Sequence, residues 1–117
     1  MYLIQIKVID GWGNLPLHNA AKAGSVDMVR ILLQVYRDGA KIGDKYNKTP
    51  FYYAVQSRSI DCVRLLLDAY KIGPFIPNIN GIYPLQAAIE DEQEEIVACI
   101  IQEVGYTNLF QRYYILD

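Results

Sequence analysis

Three prolines, Pro16, Pro50 and Pro84, stand 34 residues apart, and the interval carries its surroundings with it. Leu17, Phe51 and Leu85 follow them, then Ala20, Ala54 and Ala88, then Ala21, Val55 and Ile89. Further on come Met28, Cys62 and Ile96, then Val29, Val63 and Val97, then the pairs Leu32-Leu33, Leu66-Leu67 and Ile100-Ile101. Upstream, Asp10, Asp44 and Asn78 share one position, and Gly13, Asn47 and Gly81 another. A period of this length marks a helical repeat array, in which each unit finds its apolar contact on its neighbours. Whatever local structure one unit adopts, the other two must therefore adopt as well.

Each unit reads as a turn, a proline-started helix, a short loop and a second helix. Gly13 and Gly81 enter the left-handed region at no steric cost, and Asn47 is the non-glycine residue best suited to replace them. The Asp or Asn three residues earlier is placed to bond the turn's own backbone. Proline then opens the first helix, where its missing N–H is no loss. Those helices span about 16–23, 50–57 and 84–91, too short to persist alone. Thr49 is an N-cap; Leu15 and Tyr83 at the same place are not, and each unit lacking the cap forgoes about 1 kcal/mol. The second helices, Val26–Tyr36, Ile60–Tyr70 and Glu94–Glu103, carry wide apolar stripes suited to burial on two sides. Gly24 closes the first short helix, but Arg58 and Glu92 replace it later, so a glycine-dependent C-cap is expected only once. The connectors Arg37–Gly43 and Lys71–Pro77 contain Asp38-Gly39 and Gly73-Pro74, turn formers expected to fold back as hairpin-like arms.

The marks Leu15-Pro16-Leu17-His18-Asn19-Ala20-Ala21, Thr49-Pro50-Phe51-Tyr52-Tyr53-Ala54-Val55 and Tyr83-Pro84-Leu85-Gln86-Ala87-Ala88-Ile89 resemble, to different degrees, the T-P-L-H-x-A-A signature of the ankyrin repeat family. The period runs one residue beyond that family's usual one, and the motif histidine survives only as His18. The resemblance implies an all-α solenoid of stacked helix-loop-helix repeats with short β-hairpin arms, in units of about 10–43, 44–77 and 78–104. An extended arm (1–9) would precede them and a capping segment (105–117) would follow, within one domain of 117 residues. In the arm, Tyr2 to Ile9 is rich in β-branched residues and reads as extended. In the last segment, Thr107 or Asn108 could cap a short helix with Leu109, Phe110, Tyr113 and Leu116 on one side, expected to lie over the exposed flank of the third unit.

Charge narrows the function classes. The net charge is −2, with no clustered cations of the kind a phosphate backbone requires, so nucleic acid is not expected as a partner. The balance is uneven: residues 1–72 hold ten Lys/Arg against six Asp/Glu, and residues 73–117 one against seven. No apolar run reaches the length of a membrane span, and the start does not read as a signal peptide. Cys62 and Cys99 fall on apolar stripes without a ligand-spaced partner and read as buried small hydrophobes. Free thiols fit the cytosol or nucleus. No cofactor or metal signature is present. The one histidine, His18, occupies the place where the family's histidine braces adjoining turns, so the chain is not expected to be an enzyme.

The remaining candidates are positions that the family uses for contact: turn tips and the outward residues of the first helices, on the concave side. In unit one these are Trp12, Asn14, Asn19, Lys22 and Ala23. Unit two gives Lys45, Tyr46, Lys48, Tyr53, Gln56 and Ser57, and unit three Ile79, Asn80, Ile82, Glu90 and Asp91. Trp12, Tyr46 and Tyr53 would anchor another protein. Lys22, Lys45 and Lys48 would favour anionic groups, and Glu90 and Asp91 cationic ones. The acidic run Glu90–Glu95 also suits a helix start, where carboxylates complement the dipole. A monomer binding a partner protein is expected; the alternative is a structural or self-associating segment of a longer array.

Overall fold

The computed structural model describes residues 9–105. They form six α-helices in three antiparallel pairs: α1 (Pro16–Lys22) with α2 (Val26–Val35), α3 (Pro50–Ser57) with α4 (Ile60–Ala69), and α5 (Pro84–Glu90) with α6 (Glu94–Val104). The short helices α1, α3 and α5 stack on one another in one layer, and α2, α4 and α6 in a second. No described helix is long and apolar enough to cross a membrane. The expectations for residues 1–8 and 106–117 lie outside the described residues.

The helix starts follow the sequence closely. Each short helix begins with its proline in the first turn. Thr49 Oγ1 accepts from the Tyr52 amide at a long 3.4 Å, whereas Leu15 and Tyr83 supply no side-chain cap. Ser59 plays a comparable part at α4, its Oγ accepting from the Cys62 amide at 3.3 Å.

The helix ends depart from expectation. Gly24 takes φ 69°, but Arg58 and Glu92 also enter the left-handed region, at 62° and 55°. The cap geometry thus survives the loss of glycine, and two L-residues are held in a conformation their Cβ disfavours. What holds them is the ladder beyond: the Ser25, Ser59 and Gln93 amides all reach back to an alanine carbonyl of the preceding helix, at 2.9, 3.3 and 3.0 Å.

The connectors curl instead of extending. Arg37–Lys41 and Gly73–Phe75 are 3-10 turns, closed by the Ile42 amide on the Gly39 carbonyl and the Ile76 amide on the Gly73 carbonyl. Turn-forming Asp38-Gly39 and Gly73-Pro74 favour this tight winding over a paired arm. The arms reduce to one-turn fingers: Asp44 N–H donates to the Lys48 carbonyl at 3.0 Å, and residues 10–14 and 78–82 close the same way. Among the described residues no regular strand forms.

Packing follows the two stripes. Ala20, Ala21, Ala54 and Ala88 let the first helices approach closely, and Leu17, Phe51 and Leu85 fill the space between layers. Val29, Val63, Leu66, Leu67 and Ile100 supply the core from the second helices. Burying a leucine such as Leu66 contributes about 2 kcal/mol. Cys62 and Cys99 are free and buried, and burial pushes the Cys62 thiol above its ordinary pKa, so Cys62 behaves as a small hydrophobe. Ion pairs cross both junctions: Arg37–Asp68 at 3.2 Å, Arg58–Asp91 at 2.8 Å and Lys71–Glu103 at 3.3 Å. All are half exposed, so each contributes at most about 1 kcal/mol.

Candidate partner-binding face

Three fingers, each built on an Asx turn, form one edge of the molecule. Asp10 Oδ1 accepts from the amides of Trp12 and Asn14, both at 2.9 Å. Asp44 Oδ1 accepts from Tyr46 and Lys48 at 2.9 Å, and Asn78 Oδ1 from Asn80 and Ile82 at 2.9 and 3.1 Å. The Asn14 amide holds the Asp10 carboxyl below its ordinary pKa, against an opposing effect of burial. Gly13 and Gly81 at φ 79° and Asn47 at 57° complete the turns as their residue types require. The tips are then tied together: Lys45 N–H donates to the Trp12 carbonyl at 2.7 Å, and Ile79 N–H to the Tyr46 carbonyl at 2.9 Å. Asn47 adds a side-chain bond to the Pro77 carbonyl at 2.8 Å. Whatever projects from these tips is carried on a continuous hydrogen-bonded edge.

Behind the fingers, one repeat position carries a different chemistry in each unit. His18 is fully buried; its Nδ1 accepts from the Leu15 amide and its Nε2 faces the Ile42 carbonyl, both at 2.8 Å. An amide must donate and a carbonyl must accept, so the ring is neutral with its proton on Nε2. Burial lowers its pKa. The bracing role implied for this histidine is the one it performs, and no carboxylate or nucleophile is among its hydrogen-bond partners. In unit two the position is Tyr52, whose hydroxyl oxygen accepts from Asn78 Nδ2 at 3.2 Å and so reaches the next finger. In unit three it is Gln86, which turns to Glu90 Oε2 at 3.2 Å.

The candidate residues divide by exposure. Trp12, Asn19, Lys22, Lys45, Tyr46, Gln56, Ile79, Asn80, Glu90 and Asp91 are exposed, and Lys48 and Ile82 half-buried. Asn14 and Tyr53 are buried. Tyr53 donates its hydroxyl to Asp44 Oδ2 and meets the His18 ring edge-on at 6.0 Å; burial and that carboxylate raise its pKa strongly. Its ring is the floor of the face and not a projecting anchor. Lys22 Nζ lies 4.6 Å from that ring's centre, and Lys48 Nζ lies 5.5 Å from it and 5.3 Å from the Tyr52 ring. No ion pair engages Lys22, Lys45 or Lys48 among the described residues. Asp10, Trp12, Asn14, Lys22 and Tyr46 line a cleft of about 380 Å³.

The acidic end differs from its sequence appearance. Asp91 Oδ2 already accepts from Arg58 at 2.8 Å and from Gln93 Nε2 at 3.0 Å, leaving Glu90 as the less committed carboxylate. Nothing in the linear pattern pairs Arg58 with Asp91; the stacking of units does. Exposed Ile9 at the base of the first finger was not among the candidates, although its place beside Asp10 puts it next to the first turn.

Comparison with known proteins agrees with this geometry. The family model of ankyrin repeats in three copies matches residues 2–78, about two thirds of the chain. No curated protein matches it. The third helix pair lies beyond the matched range yet repeats the construction of the first two, down to the Asx turn and the left-handed cap. The chain belongs to the ankyrin repeat family.

Proposed function

We propose that the protein holds a partner protein against the side formed by its finger tips and first helices, the concave side in this family, with no catalytic step. Ankyrin repeats generally serve protein–protein interaction and are typically non-catalytic. The observation that carries the reading is the pair Trp12 and Tyr46: two exposed rings on successive tips joined by a backbone hydrogen bond. A ring on a rigid edge loses little conformational freedom on binding, which makes it an efficient anchor. Beside them, Lys22 and Lys48 are held over the Tyr52 and Tyr53 rings with no ion-pair partner among the described residues, which favours a partner bearing carboxylates at this end. Glu90 suits a basic group at the far end.

The double variant Trp12→Ala, Tyr46→Ala tests this. Affinity capture with the full chain should lose its specific partner with the variant, while the far-UV circular dichroism stays that of the wild type. Raised salt should weaken capture by the wild type through the lysines. A variant that retains full capture would remove the reading.

A further inference from the structure

Place in the repeat decides which neighbour a side chain meets. Position 28/62/96 faces the preceding unit: Met28, with no described unit before it, is 45% exposed, whereas Cys62 and Ile96 are 0% and 3% exposed. Position 21/55/89 faces the following unit: Ala21 and Val55 are 0% and 1% exposed, and Ile89 is 44% exposed. Among the described residues, unit three therefore presents an open flank. Ile89, Val97, Ala98 and Ile101 line a cleft of about 440 Å³ there, together with Glu92 and Glu94. Gln93 lines it too and is 93% buried by its 7% exposure. Its Nε2 is spent on the Val55 carbonyl and Asp91, but its Oε1 has no hydrogen-bond partner. The lining itself, apolar side chains beside the Glu92 and Glu94 carboxylates, suits an occupant with a cation and apolar side chains.

A second copy fits this badly. At the internal junctions the base of each crossing ion pair sits on the earlier unit, at Arg37, Arg58 and Lys71. Unit three has Gly105 where Arg37 and Lys71 stand, and Glu92 where Arg58 stands. Stacking unit one of another molecule here would recover none of these pairs. It would also set Glu92 and Glu94 near Asp27, since Arg58 and Ile60 share a groove with Glu92–Ile96.

The chain itself supplies a better match. Beyond residue 72 its only Lys or Arg is Arg112, set among Leu109, Phe110, Tyr113 and Leu116. The segment that holds them leaves α6 beside the cleft, through Gly105 at φ 80°, whose amide donates to the Ile101 carbonyl at 2.9 Å. We propose that residues 106–117 dock on the open flank of unit three, with Arg112 meeting Glu92 and Glu94 and the apolar residues filling the cleft. The segment takes the place that a further unit would occupy. This reading is independent of the partner proposed for the fingers.

Hydrogen exchange of the full chain, followed by mass spectrometry, tests it. Amides of 107–117 should exchange about tenfold or more slower than an unstructured peptide. Arg112→Glu, and separately Ala98→Lys at an exposed site in the cleft, should each bring them to the unstructured rate while α3 and α4 keep their protection. Arg112→Lys should keep the segment protected. Three results would overturn the proposal: an unstructured rate in the wild type, protection that neither disruptive variant alters, or protection that vanishes on dilution, which would make a second copy the cover.

Discussion

His18 carries a pH dependence in its hydrogen bonds. Both ring nitrogens are committed to backbone groups in the neutral form, and burial keeps the native pKa below the ordinary 6.5. Between the two values the unfolded chain takes up a proton that the native state does not, so stability rises with pH across that window. The contribution is complete above the unfolded value and is lost as pH falls from about 6.5 towards the native one. His18→Gln should flatten this part of the profile, read as urea midpoints at several pH values. The same variant should lose about 1–3 kcal/mol at neutral pH, because the Leu15 amide or the Ile42 carbonyl is left without its partner. An unchanged profile would move the pH sensitivity elsewhere. Tyr53→Phe is informative in another way. It leaves Asp44 Oδ2 without its donor, so it should destabilise by about 1–2 kcal/mol while affecting capture of a partner less than Trp12→Ala. Equal damage to capture would restore Tyr53 as an anchor.

Among the elements, the caps of the short helices store strain. Arg58 and Glu92 occupy the left-handed position that Gly24 fills without penalty. Glu92 is exposed and its side chain makes no hydrogen bond among the described residues, so Glu92→Gly should stabilise the protein by about 1 kcal/mol in chemical denaturation, less whatever its pairing with Arg112 contributes. Arg58→Gly should gain less, since it also loses the contacts of that guanidinium with Asp91. A loss of stability in Glu92→Gly would show that the side chain contributes more than its backbone conformation costs.

For the molecule as a whole, the register of stacking sets the energetic weight of each position. Met28 and Ile96 are equivalent in the repeat, but only Ile96 has a described unit before it. Met28→Ala should shift stability by no more than about 0.5 kcal/mol, whereas Ile96→Ala should cost about 2–4 kcal/mol. Urea titrations of the two variants make the comparison, and similar losses would contradict the end-flank description. The same dependence on neighbours explains why no helix here needs to be stable alone: α1 and α5 are seven residues each, and each packs on α3 and on the longer helix of its own pair.

Local order and the kind of fold were written in the chain. The spacing of Pro16, Pro50 and Pro84, with the alanines and leucines that travel with them, determined three helix pairs, and Asp10, Asp44 and Asn78 determined their turns. These are short-range effects, in which a residue's own stereochemistry or its period settles the outcome. Tertiary structure alone decided the rest. Stacking brought Arg58 to Asp91, buried Tyr53 beneath two lysines and left Trp12 and Tyr46 outside. No linear pattern encodes these results, because each depends on which surface a neighbouring unit covers. Ala21, Val55 and Ile89 share one place in the repeat; the first two are core because a following unit covers them, and Ile89, with no described unit after it, is exposed.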